Sequence, residues 1–152
     1  MKEDKHIYKS HNKSLLLYHF TCPAKYRRKI FTPKVEESLK SICIEIGERY
    51  EIYVHELGTD KDHVHFLVQS VPTYSPTKII TTLKSITARQ LFKNHPEIKK
   101  QLWGGNLWTS GYHVSTVGYY GSFAMIQQYV KKQGQEYKQI YRSPQLSLFQ
   151  DD

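Results

Sequence analysis

Two short clusters place reactive side chains at spacings that could do chemistry. His63-Val64-His65 sets two imidazoles two residues apart. On a β-strand such residues project from one face, and two neutral imidazoles side by side are half of a common metal site. Tyr129 and Gln133 stand four apart, so on a helix they share a face with Cβ atoms about 5–6 Å apart. A glutamine carbonyl oxygen can complete a cation's ligand set, and a phenol beside that cation could attack a phosphodiester.

Neither cluster identifies a site alone. With eight histidines in the chain, chance supplies about 0.4 such pairs, and two exposed histidines on a half-solvated strand would look the same. A second Tyr-x-x-x-Gln, Tyr141 and Gln145, has Pro144 inside it, which argues against an intact helical turn there. The combination carries more. Lys and Arg number 22 against 14 Asp and Glu, a net charge of +8, which favours a polyanionic partner. Twelve tyrosines interleaved with these cations suit stacking on unpaired bases. A phenolate leaves readily, so a tyrosine–DNA link could store a phosphodiester for a later strand attack. The carboxylate cluster of a two-metal nuclease is missing, since Asp60 and Asp62 are the only acids near the histidine pair.

The elements that must position these groups follow from periodicity. Residues 1–13 are polar and are expected to fray. Leu15 to Phe20 reads as a buried strand, followed by the basic run Lys25-Tyr26-Arg27-Arg28-Lys29. Thr32-Pro33 has the form of a helix start, and Val35, Leu39, Ile42, Cys43 and Ile46 recur at helical spacing to about Tyr50. Ile52 to His55 and His63 to Gln69 read as a hairpin closed by a turn at 58–62. Ser75-Pro76 opens a second helix with Ile79, Ile80, Leu83, Ile86, Thr87 and Leu91 on its apolar face, ending near His95-Pro96. Pro96 to Leu102 suits a short helix, His113 to Val117 a fourth strand, and 122–133 a last helix. The order predicts an α+β fold: a four-stranded antiparallel sheet with helices on one face, a split βαβ, ferredoxin-like arrangement. Residues 1–134 are expected to form one domain and 135–152 a polar C-terminal tail.

Two cysteines, Cys22 and Cys43, form no close pair, so a disulfide scaffold or thiolate zinc site is not expected. No apolar run approaches the ~20 residues of a membrane helix. The polar N-terminus lacks a signal-peptide core. Both predict a cytoplasmic protein without membrane contact.

At this point the chain resembles the small single-tyrosine HUH transposases of bacterial and archaeal insertion sequences, which move single-stranded DNA. HUH denotes His, a hydrophobic residue, His: here His63-Val64-His65, preceded by Asp62. The resemblance extends from Leu17-Tyr18-His19 and Lys25-Tyr26-Arg27 through Leu83 to Arg89, Leu107-Trp108, Gly111-Tyr112 and Val117-Gly118 to Tyr129-x-x-x-Gln133. It implies an RRM-like HUH fold and a divalent ion, Mg²⁺ or Mn²⁺, on His63, His65 and Gln133. It also implies attack by Tyr129 on single-stranded DNA through a 5′-phosphotyrosine intermediate. The DNA partner would carry hairpins at the element ends. The enzyme would be a homodimer, the tyrosine helix often serving the partner's histidines in trans. His113 departs from the pattern, standing where an apolar aromatic is expected.

Further DNA contacts are expected from Lys84 and Arg89 on the second helix, from Arg27 in the basic run, and from Lys131 beside the nucleophile. Trp103, Trp108 and Tyr112 could stack on bases or pack in the core, and His55 is a poor ligand candidate. Three other readings share these residues: a non-catalytic nucleic-acid-binding module, a related HUH nickase or domesticated hairpin-processing enzyme, and a metal-dependent hydrolase in which Tyr129 is structural.

Overall fold

Thr32 accepts the Val35 backbone N–H through its side chain at 3.3 Å, and Pro33 follows at the first helical position. That cap turns the chain into α1 (Pro33–Tyr50). Ser75 caps α2 (Pro76–Asn94) in the same way, accepting from Lys78 N at 3.0 Å. The remaining elements are strands β1 (Ile7–Lys9), β2 (Asn12–Ser14), β3 (Leu16–Pro23), β4 (Tyr53–Thr59), β5 (His63–Ser70), β6 (His113–Val117) and β7 (Lys138–Arg142), with the short helix α3 (Pro96–Gln101) after α2. The computed structural model describes residues 4–25, 30–60, 63–102, 105–117 and 137–145.

Five strands form one antiparallel sheet in the order β6-β3-β5-β4-β7. Alternation along β5 sends Val64, Phe66 and Val68 into a core shared with Phe20 and Cys22 of β3, Leu39, Cys43 and Ile46 of α1, and Ile80 and Leu83 of α2. Burying each large apolar side chain contributes roughly 1.5–3 kcal/mol, so this helix-covered face sets the register. A one-residue slip would send the apolar set to the wrong side. The expected α+β architecture is present.

The sheet has five strands rather than four. The extra one, β7, comes from the stretch read as a polar tail, and it pairs along β4 from Glu56↔Arg142 to Thr59↔Lys138. Its alternation is weak because it is an edge strand with Lys138 and Gln139 exposed. The N-terminus also differs from expectation, since β1 and β2 pair as a hairpin. Contacts far along the chain hold it: the Gln69 side chain donates to the Lys5 carbonyl at 2.8 Å, and Lys9 pairs with Glu51. No helix among the described residues is long and apolar enough to cross a membrane.

Candidate metal centre

Because Val64 and Phe66 point into the core, His63 and His65 share the opposite face of β5, as the spacing predicts. Their environments differ. His65 is 2% exposed, whereas the His63 side chain is 42% exposed. Between them sits Asp60, which closes the β4–β5 turn. Its backbone N–H donates to the His63 carbonyl at 3.0 Å, and its Oδ1 accepts the His63 backbone N–H at 3.2 Å. Its Oδ2 lies 2.8 Å from His65 Nε2, and Oδ1 is 3.7 Å from His63 Nδ1. A buried carboxylate therefore faces both imidazoles.

The register brings β3 to the other side of His65. Thr21 is its Cα partner, and Thr21 Oγ1 lies 3.4 Å from His65 Nδ1. His19 Nε2 lies 3.2 Å from that nitrogen, with the two rings stacked at 5.2 Å and 14°. Burial drives the His19 pKa down to about 3, with the neighbouring His65 and His113 adding to it. Burial lowers His65 as well, and the hydrogen bond that it donates to Asp60 opposes this in part. Both imidazoles are thus held neutral, the state a metal ligand requires.

A third wall comes from the chain end. The ring of Tyr137 meets His65 edge-on, centroids 5.6 Å apart at 70°. Its hydroxyl donates to Glu56 Oε2 at 3.1 Å, while Arg142 donates from Nε and Nη2 to Glu56 Oε1 at 2.9 and 2.6 Å. Burial, then Glu56, push the Tyr137 phenol well above its ordinary pKa. It is held as a neutral donor turned toward Glu56.

Among the described residues no group of three or more His, Cys, Asp or Glu side chains could hold a metal ion by itself. Tyr129 and Gln133 lie outside the described residues, as do Arg27, Lys131, Trp103 and Asp62. Tyr141, of the competing Tyr-x-x-x-Gln, is in strand β7. Lys84 donates from Nζ to the carbonyls of Thr109 and Gly111, each at 3.0 Å, tying α2 to the segment before β6. Arg89 is exposed on α2 and donates from Nε to the Ser85 carbonyl at 3.4 Å. Trp108 is a core residue, its Nε1 donating to Thr87 Oγ1 at 3.1 Å. Tyr112 is exposed, its hydroxyl 2.9 Å from Thr77 Oγ1. His113 is exposed on edge strand β6, opposite Thr21. His55, inserted by a bulge in β4, is buried between Ser143 Oγ at 2.9 Å and Gln69 Oε1 at 2.8 Å.

Sequence reasoning did not single out His19, Glu56 or Tyr137. Asp60 was visible only as an acid near the pair; its signal is an Asp three residues before a strand, where an Asx turn forms. For the other three only strand register reveals the contact.

Residues 12–133 match the protein family described as IS200-like transposases. The chain is 34% identical over 118 residues to the ISDra2 transposase TnpA of Deinococcus radiodurans, covering 78% of this chain and 84% of that protein. It is 30% identical over 121 residues to the transposase for insertion sequence element IS200 of Salmonella typhimurium, covering 80% and 78%. A crystal structure of a Deinococcus radiodurans R1 protein described as a transposase superposes with a TM-score of 0.65 at 31% identity, covering 84% of this chain and 97% of that one.

Proposed function

This chain belongs to the IS200-like transposase family, and from that premise we propose that it cleaves and rejoins single-stranded DNA at hairpin-bearing element ends, with Tyr129 as nucleophile. The observation that carries this reading is the pair of imidazoles on one face of β5, His65 buried and neutral, with the Asp60 carboxylate between them.

The donor chemistry fits a divalent cation. Two imidazoles on one strand face are half of such a site, and Gln133 is the oxygen donor we assign to it beside His63 and His65, with the Asp60 carboxylate adding negative charge next to them. When bound, Mg²⁺ or Mn²⁺ would polarise a phosphate oxygen and offset the charge that builds on it.

The chain's own residues do the rest. The Tyr129 phenolate oxygen attacks phosphorus; the bond to the 3′ oxygen breaks, leaving a 3′-OH and a 5′-phosphotyrosine link. A later 3′-OH attacks such a link, restores a phosphodiester and releases the phenolate. The number of bonds is conserved, so no external energy source is needed. The net charge of +8 supports a DNA substrate. The family resemblance supports a homodimer, whose mass would be twice 17.9 kDa.

The test incubates the protein and Mn²⁺ with labelled single-stranded DNA carrying a hairpin. We expect an adduct that survives denaturing electrophoresis and is lost in Tyr129→Phe. Binding without adduct on every hairpin substrate would favour a non-catalytic module; turnover retained in Tyr129→Phe would favour a hydrolase.

A further inference from the structure

The family match ends at residue 133, yet the packing around His65 is completed by residues beyond it. Tyr137 and Arg142 both converge on Glu56, which is 3% exposed. Each oxygen of this buried carboxylate has a donor, so the pair avoids the cost of an unsatisfied buried charge. The result is a fixed seat for the Tyr137 ring on the histidine face of the sheet.

Gly58 makes that seat possible. It is the Cα partner of His65 on β4. A Cβ placed there would overlap the Tyr137 hydroxyl and its ring carbon Cζ. The ring therefore lies where any other residue at 58 would put a side chain, and its position brings it edge-on against His65.

We propose that Tyr137, seated over Gly58, is a positioning residue for His65. The imidazole is bounded on three sides: Asp60 at Nε2, the stacked His19 ring, and the Tyr137 edge. A ligand whose rotamer is already fixed loses less freedom when it takes a cation, and such supporting contacts typically change metal affinity 10–100-fold. The residue that leads into edge strand β7 thereby becomes part of the metal centre, although Tyr137 donates no atom to the ion.

This inference rests on the metal reading above, and the experiment separates the two. Mn²⁺ affinity is measured by electron paramagnetic resonance for wild type, Tyr137→Leu, Tyr137→Phe and Gly58→Ala, with thermal unfolding followed by circular dichroism. Tyr137→Leu removes the ring, while Gly58→Ala displaces it without altering Tyr137 or His65. We expect both to weaken Mn²⁺ binding about tenfold while remaining folded at the measurement temperature. Tyr137→Phe keeps the ring over Gly58 and gives up the bond to Glu56, and should bind Mn²⁺ more tightly than Tyr137→Leu does. Lower melting temperatures with unchanged Mn²⁺ affinity in Tyr137→Leu and Gly58→Ala would overturn the inference and leave the metal reading standing. A wild-type protein that binds no Mn²⁺ would sink both.

Discussion

Asp60 Oδ2 lies 2.8 Å from His65 Nε2, while the other oxygen of the same carboxylate accepts the backbone N–H of His63 at 3.2 Å. One side chain thus closes the β4–β5 turn, orients the buried imidazole and lends negative charge to the space between the histidines. Asp60→Ala would leave a buried imidazole and a backbone N–H without their acceptor. We expect a loss of about 1–3 kcal/mol in urea unfolding, together with weaker Mn²⁺ binding. Asp60→Asn retains an acceptor and should cost less stability while still weakening the metal. An alanine variant as stable as wild type would show that the carboxylate does not hold the turn.

His63 is the more exposed member of the pair. His63→Ala should change stability by no more than about 0.5 kcal/mol, remove most metal-dependent cleavage, and leave hairpin binding largely intact. Electrophoretic mobility shifts and cleavage assays on the same DNA separate these effects. Equal loss of binding and cleavage would make His63 a structural residue.

Acid should destabilise the protein before its carboxylates titrate. His19, His55 and His65 all have folded-state pKa values below the ordinary histidine value, burial being the main cause in each. Between the folded and unfolded values the unfolded chain holds more protons, so stability rises with pH there and falls on acidification below about pH 6.5. For His19, with a folded value of about 3, the loss by pH 5 is on the order of 2 kcal/mol. Urea midpoints at pH 7.5 and 5.0 measure it, and a midpoint that does not move would contradict neutral burial.

Lys84 and Arg89 share α2 but should separate experimentally. Lys84→Met removes two bonds to the carbonyls of Thr109 and Gly111 and should cost about 1 kcal/mol. Arg89→Ala should leave stability within about 0.5 kcal/mol and lower the salt dependence of DNA binding by about one phosphate contact. A salt slope unchanged by Arg89→Ala would remove that residue from the interface.

Much of the fold was legible because local rules and burial agree. Thr32-Pro33 and Ser75-Pro76 mark helix starts that the structure confirms as caps. The apolar residues of α1 and α2 repeat at helical spacing, and those of β5 alternate. β7 was not legible: an edge strand buries one side only in part, so Lys138-Gln139-Ile140-Tyr141-Arg142 carries little alternation. The N-terminal hairpin escaped for a related reason, since Gln69 and Glu51 hold it from far along the chain.

The same division runs through the site. A two-residue spacing on a strand is a local property, so sequence alone put His63 and His65 on one face. It also supplied the family pattern and the basic charge that select a DNA partner. Which groups surround His65 was decided by strand register, a non-local property set by how the apolar face packs on α1 and α2. Only that packing sets Thr21 and Gly58 opposite His65, stacks His19 on its ring, and seats Tyr137 against its edge. Each contact joins residues far apart in the chain or on different strands, and no spacing along the chain encodes it.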